Sequence, residues 1–218
     1  MLKSNRMILH FINNEVIKID EQISNLIIEL SQGNEWNYKY FFYPEIKSFI
    51  SEGEQLEIEN FFKERNCNIL EAFDIFDEKR RKGENDSIIC SFIRNDSVSE
   101  LDTYLNKTNL SYSTQIRDSI FESNSILNGK HLTLIEYAAF YGSIQVVKYL
   151  WLNQVELNPS LWTYVIHSNN AEMIHFLEEN HVEPPKGNYQ ECLLQSIECH
   201  HNEISEYIRS QLLTSEKS

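Results

Sequence analysis

Apolar residues recur along much of this chain at helical spacing. In VIKIDEQISNLIIEL (16–30) they occupy positions 16, 19, 23, 26, 27 and 30, which lie along one face of a helix. PEIKSFI (44–50) and IENFFKERNCNILEAFDIFDEKRRK (58–82) also read as helical. Pro44 stands at a first helical position, where the missing N–H is no loss. KRRKGENDS (79–87) predicts a helix end, a stop at Gly83, and a cap for the next helix at Asp86 or Ser87. The basic run Lys79–Lys82 complements the negative end of a helix dipole; the alternative is a localisation tag.

Three later stretches can be laid over one another: GSIQVVKYL (142–150), NNAEMIHFL (169–177) and HHNEISEYI (200–208). Each has apolar residues at the fifth and ninth places and an aromatic at the eighth, namely Tyr149, Phe176 and Tyr207. Their starts are 27 and 31 residues apart. A unit of this length with two short helices is the pattern of an α-solenoid, whose neighbouring units bury one continuous core. A weaker fourth copy is DSVSELDTYL (96–105), preceded by the helical run SIICSFIRN.

LTLIEYAAFYGSIQVVKYLWLNQVELN (132–158) resembles an ankyrin repeat. Thr133-Leu134-Ile135-Glu136 stands where that family has Thr-Pro-Leu-His. Ala138-Ala139 matches its small pair, Gly142 its inter-helix turn, and Asn158 its closing Asn. The next copies depart further, with Val165-Ile166 and Ser196-Ile197 for the Ala pair and with Asn169 and His200 for the Gly. GENDSIICSFIRND, SIFESN, TLIEYAAFYGSI, PSLWTYVIHSNNAEMIHFLEENHVEP and ECLLQSIECHHNEI together resemble a protist-expanded family of ankyrin-containing proteins, whose conserved domain has no assigned function. That likeness covers roughly residues 40–213, and in longer members the chain would begin partway along. It implies an all-α, ankyrin-like helical-hairpin solenoid. A helical N-terminal region (1–85) would cap degenerate repeats (86–213), with a disordered tail (214–218).

The formal charge of −14, from 33 acidic and 19 basic residues, gives an anionic surface. A nucleic-acid binder needs a positive footprint, so direct nucleic-acid binding is not expected, and anionic membranes are disfavoured on the same ground. Six Gly and four Pro are few, which favours helices over strands joined by tight turns. The apolar patch from Met7 to Ile12 is too short for a signal peptide or a membrane span. Cys67, Cys90, Cys192 and Cys199 form no regular framework and read as reduced thiols of a soluble, cytoplasmic protein.

SIECHHNEISEYI (196–208) sets Cys199, His200 and His201 side by side, with Cys192 seven residues upstream. Zinc needs three or four ligands converging at about 2.0–2.3 Å. In the repeat register His200 and His201 fall on the turn, while Cys192 begins the preceding helix about 10 Å away. The stretch therefore reads as a turn, with no metal. No Gly-rich phosphate loop and no Gly-x-Ser-x-Gly elbow occur. The acidic pairs Glu178-Glu179 and Asp74/Asp77 read as solvated helix faces. No catalytic residues, cofactor or small-molecule substrate are expected.

In an ankyrin-like unit, the residue before the small pair and the two after it face a concave groove. By that resemblance the partner-binding face comprises Tyr137, Phe140, Tyr141, Tyr164 and His167, with Ser168 and then Gln195, Glu198 and Cys199 beyond them. Ser91, Arg94 and Asn95 are the counterparts in the early copy. The loops NGKH (128–131), NPS (158–160) and EPPKGN (183–188) are a second contact surface. The expected function is a noncatalytic protein–protein interaction module acting as adaptor or scaffold, its partner another protein. The alternative is a component built into a cytoskeletal or ribonucleoprotein assembly. If the groove aromatics are exposed, Tyr137→Ala with Tyr141→Ala leaves thermal stability nearly unchanged; a loss above about 3 kcal/mol marks them as core.

Overall fold

The computed structural model describes residues 5–32, 38–64 and 73–213. Cys67, positions 65–72 of the expected helix 58–82, and the expected tail 214–218 lie outside them. Among the described residues the regular structure is helical throughout, apart from an isolated antiparallel bridge between Gln115 and Thr133. The chain divides into two compact units: residues 1–87 with 117–131, and residues 88–116 with 132–218. The expected boundary at residue 85 falls close to the end of the first segment. The expectation that residues 117–131 belong with the repeats is corrected, because they pack in the N-terminal unit.

The first unit carries α1 (Asn5–Asn13), α2 (Glu21–Gln32), α3 (Tyr38–Phe41), α4 (Tyr43–Ile46), α5 (Glu52–Glu64) and α6 (Phe73–Lys82). The helix expected from Val16 begins only at Glu21. Glu15 turns the chain with φ +58°, and the Asp20 carboxylate accepts the N–H of Ile23 at 2.9 Å as the start of α2. Pro44 sits one residue into α4, and a 3₁₀ turn, Lys47–Phe49, replaces the rest of that expected helix. The core is aromatic, with Phe41, Phe42, Tyr43, Phe62, Phe76 and Phe121 buried together. Arg80, only 1% exposed, lies within that core. Its guanidinium packs 5.7 Å and 5.2 Å from the Phe41 and Phe76 rings, and bonds both Glu45 oxygens, Asp77 and the Phe41 carbonyl. Two carboxylates thus compensate one buried cation, whose desolvation would otherwise cost several kcal/mol. Asp86 is not a helix cap; its carboxylate accepts Lys79 and Ser119. Ser119, Phe121 and Ser123 tie residues 117–131 to this unit, Ser123 donating to the Gly83 carbonyl at 2.9 Å.

The second unit is four helix pairs: α7 (Ile88–Arg94) with α8 (Val98–Thr108), α9 (Leu134–Tyr141) with α10 (Ile144–Leu152), α11 (Leu161–Ser168) with α12 (Ala171–Glu179), and α13 (Tyr189–Glu198) with α14 (Asn202–Tyr207). The first helices pack in a row, α7 on α9, α9 on α11 and α11 on α13. Within each pair the chain reverses at a residue of positive φ: Asp96, Gly142, Asn169 or His200. At Asp96, Gly142 and His200 the closure is the same. The left-handed residue donates to the carbonyl three back and the next residue to the carbonyl five back, at 2.9–3.3 Å. At Asn169 the Ser168 hydroxyl takes over part of this, donating to Val165 and accepting the N–H of Asn170.

The turns also bond across pairs. The Asp96 carboxylate accepts the N–H groups of Gln145 and Val146 at 3.1 Å and 2.9 Å, capping the start of α10 from the preceding pair. Buried Ser143 donates to the Ile93 carbonyl at 2.6 Å, and Asn170 to the Gly142 carbonyl at 3.1 Å. The start of α9 is closed by a reciprocal capping box between Thr133 and Glu136. A β-carbon at φ +70° clashes with its own backbone, so Gly142→Ala is expected to cost about 1–2 kcal/mol, and His200→Gly to contribute roughly 1 kcal/mol. Asp96→Gly relieves the same strain but loses the cap of α10, so chemical denaturation should show no gain there.

Candidate functional site

The residues expected to line a groove are brought to one side of the helix row, but two of them are core. Tyr137 on α9 is 1% exposed and Tyr164 on α11 is 7% exposed, which corrects their placement as exposed anchors. The reason lies in the preceding pair. Arg94, at the end of α7, donates Nη1–H to the Tyr137 hydroxyl at 2.7 Å, so the polar tip is satisfied while the ring is covered. Burial holds the Tyr137 hydroxyl far above its ordinary pKa, and raises that of Tyr164 to about 12, with the Glu136 charge adding to it.

Phe140, Tyr141 and His167 are half-buried. Together they continue a contact chain across four helices. The Arg94 guanidinium stands 5.9 Å from the Tyr141 ring, Tyr141 lies 4.7 Å from Tyr137 and 5.2 Å from Phe140, and Phe140 lies 5.7 Å from His167. His167 Nδ1 then meets Cys199 Sγ at 3.2 Å. Apart from Tyr137, in the middle of α9, each residue lies at or just past the C-terminal end of its first helix, which is why the contacts form a line. The repeat register placed Arg94 and Cys199 at these positions. What it missed is that the side chains turn toward one another along the row.

The thiol and the imidazole stand within hydrogen-bonding distance. Burial, with Glu198 as a secondary cause, pushes the Cys199 thiol up. Cys192 is buried and its thiol is raised to about 12, while His200 forms the turn and His201 precedes α14. Among the described residues no three His, Cys, Asp or Glu side chains gather as metal ligands. Of the remaining groove candidates, Asn95 and Glu198 are exposed, and Gln195 reaches the Thr163 carbonyl at 3.4 Å.

A different concavity opens on the loop side. At the ends of α10 and α12 the chain turns through left-handed Gln154 and His181, and Val155 and Val182 are buried directly after them. The two equivalent turns leave an open groove of about 990 Å³, lined among others by Trp151, Leu152, Leu157, Pro159, Val182 and Pro184. Leu152 is 72% exposed and Trp151 39%. The indole is fixed edge-on against Phe176 at 5.6 Å. The NPS and EPPKGN loops named from the sequence border this groove, whereas NGKH falls in the N-terminal unit.

No protein-family model, no curated protein and no solved structure matches the chain. No helix among the described residues is long and apolar enough to cross a membrane.

The packing at Tyr137 resolves the stability test in favour of core. Tyr137→Ala is expected to cost about 3–5 kcal/mol, and Tyr137→Phe about 1–3 kcal/mol because the Arg94 contact loses its acceptor. Urea denaturation measures both, and a loss below 1 kcal/mol for the alanine variant would contradict this packing.

Proposed function

We infer that the chain is a noncatalytic protein–protein interaction module, built as an ankyrin-like stack of helical hairpins, which holds a segment of another protein in its loop-side groove. The observation that carries this reading is the pairing of a fixed, part-exposed Trp151 with exposed Leu152 at the mouth of a groove whose lining mixes apolar side chains with Glu156, Glu183 and Lys186. Tryptophan clamped by its own fold is a common interface anchor, since little side-chain freedom is lost when a partner covers it. The contact chain from Arg94 to Cys199 makes a poorer anchor, because its aromatic edges already serve each other.

The stack reading is supported by the 27- and 31-residue offsets, the matched left-handed turns, and the row of first helices. It agrees with the resemblance to ankyrin-containing proteins, including the protist-expanded family. Solenoids of this type are stabilised by nearest neighbours and present long surfaces for partners. Cys192 and Cys199 are in no disulfide, which favours a reducing, cytoplasmic setting.

The groove is tested with a photo-crosslinking residue at position 152 in cells of the source. It should capture a discrete protein, and the added substitution Trp151→Ala should weaken that capture about tenfold or more in a variant that circular dichroism shows to be still folded at the assay temperature. Equal capture with and without Trp151 would refute the groove as the binding site.

A further inference from the structure

The hairpins share a register, so equivalent positions can be compared from one to the next. Glu136, Thr163 and Leu194 occupy one position; Ala139, Ile166 and Ile197 occupy another. On α9 and α11 both positions face the following hairpin. Ser160 donates to the Glu136 carboxylate at 3.1 Å, and Gln195 donates to the Thr163 carbonyl at 3.4 Å. Ala139 and Ile166 are buried, with α11 packed on α9 and α13 on α11.

On α13 these positions hold two large aliphatic residues, and they are open: Leu194 is 61% exposed and Ile197 is 52% exposed. Three residues apart on one helix, they share a face. Glu191, three before Leu194, and Glu198, four after it, are both neighbours of Leu194 on the helix surface and carry exposed carboxylates, and neither is in an ion pair among the described residues. The face thus pairs two aliphatic side chains with two carboxylates along the Leu194 side.

We propose that this face of α13 receives an amphipathic helix of a partner protein, aliphatic along its centre and flanked by Lys or Arg. The proposal rests on the hairpin register used above and concerns a surface separate from the loop groove. A helix is the fitting occupant because a helix covers the equivalent face of α9 and of α11. Basic flanks follow from Glu191 and Glu198, within a chain of net charge −14. Such complementarity speeds encounter and rejects wrong partners, while the aliphatic centre supplies affinity. A second copy of the chain fits less well, since it would set the same carboxylates against each other.

The test uses the full chain and two synthetic helical peptides with the same leucine stripe, one flanked by lysines and one by glutamates. The lysine peptide should bind, with the largest backbone NMR shifts on α13. Leu194→Gln with Ile197→Gln should weaken it by about tenfold or more, with an unchanged melting temperature since both side chains are exposed. Glu191→Lys with Glu198→Lys should transfer the preference to the glutamate peptide. Equal binding of the two peptides, shifts centred elsewhere, or indifference to the Leu194 and Ile197 changes would overturn the proposal. So would a concentration-dependent dimer abolished by those changes, which would assign the face to a second copy. Trp151→Ala should leave this titration unchanged, so a failure here and a failure of the loop groove are read separately.

Discussion

Helix reversal through a single left-handed residue is the constraint on which the second unit depends. Two short helices can pack against each other only if the chain turns within two or three residues and the freed carbonyls find donors. Asp96, Gly142, Asn169 and His200 do this inside the pairs, and Asn109, Gln154 and His181 end the second helices α8, α10 and α12. Only one of these seven is glycine, so the other six carry strain of about 1–2 kcal/mol each before their hydrogen bonds offset it. Asn, Asp and His tolerate this region better than most residues. Asp96 adds a second reason for a non-glycine residue, because its carboxylate caps the next pair. The turn is therefore both a reversal and a register lock between neighbours.

That constraint explains which features the sequence made legible. The α9–α10 pair could be read because Thr133, Ala138-Ala139 and Gly142 each carry a local signal, and its counterparts followed by alignment even where Asn169 and His200 replace the glycine. The start of α2 was also legible in principle, since Asp20 before a helical run is a cap, yet Val16 and Ile19 extend the apolar period past it. Residues 117–131 offered no such signal. Their place depends on bonds to Gly83, Asn85 and Asp86, over 30 positions away, and no local period encodes that.

Two of the five expected groove residues, Tyr137 and Tyr164, are buried for a related reason. Position in a repeat predicts which end of a helix a side chain occupies, but its exposure is set by the neighbouring hairpin. Tyr137 is buried because a guanidinium 43 residues earlier satisfies its hydroxyl. With alanine at residue 94, the same hydroxyl would keep only its hydrogen bond with Tyr141. Arg80 presents the same logic in the N-terminal unit. A basic run at a helix end is ordinarily solvated, and Arg81 and Lys82 are, while Lys79 is half-buried against Asp86 and Phe121. The fourth turns inward because Glu45 and Asp77 await it among aromatic rings.

If the chain is the interaction module proposed above, its function resides in surfaces, because architecture alone does not specify a partner. The physical criterion for such a surface is that a side chain should be fixed yet unsatisfied. Residues along the Arg94-to-Cys199 line are fixed and satisfied, so a partner would have to displace existing contacts to use them. Glu178, by contrast, looks surface-bound in the sequence but already accepts the Tyr207 hydroxyl, and so is also engaged. Trp151 meets the criterion because it is part-exposed while its ring stands perpendicular to that of Phe176. Leu194 and Ile197 meet it differently: they are held on a regular helix by the burial of Cys192 and Ser196 behind them, and are themselves exposed.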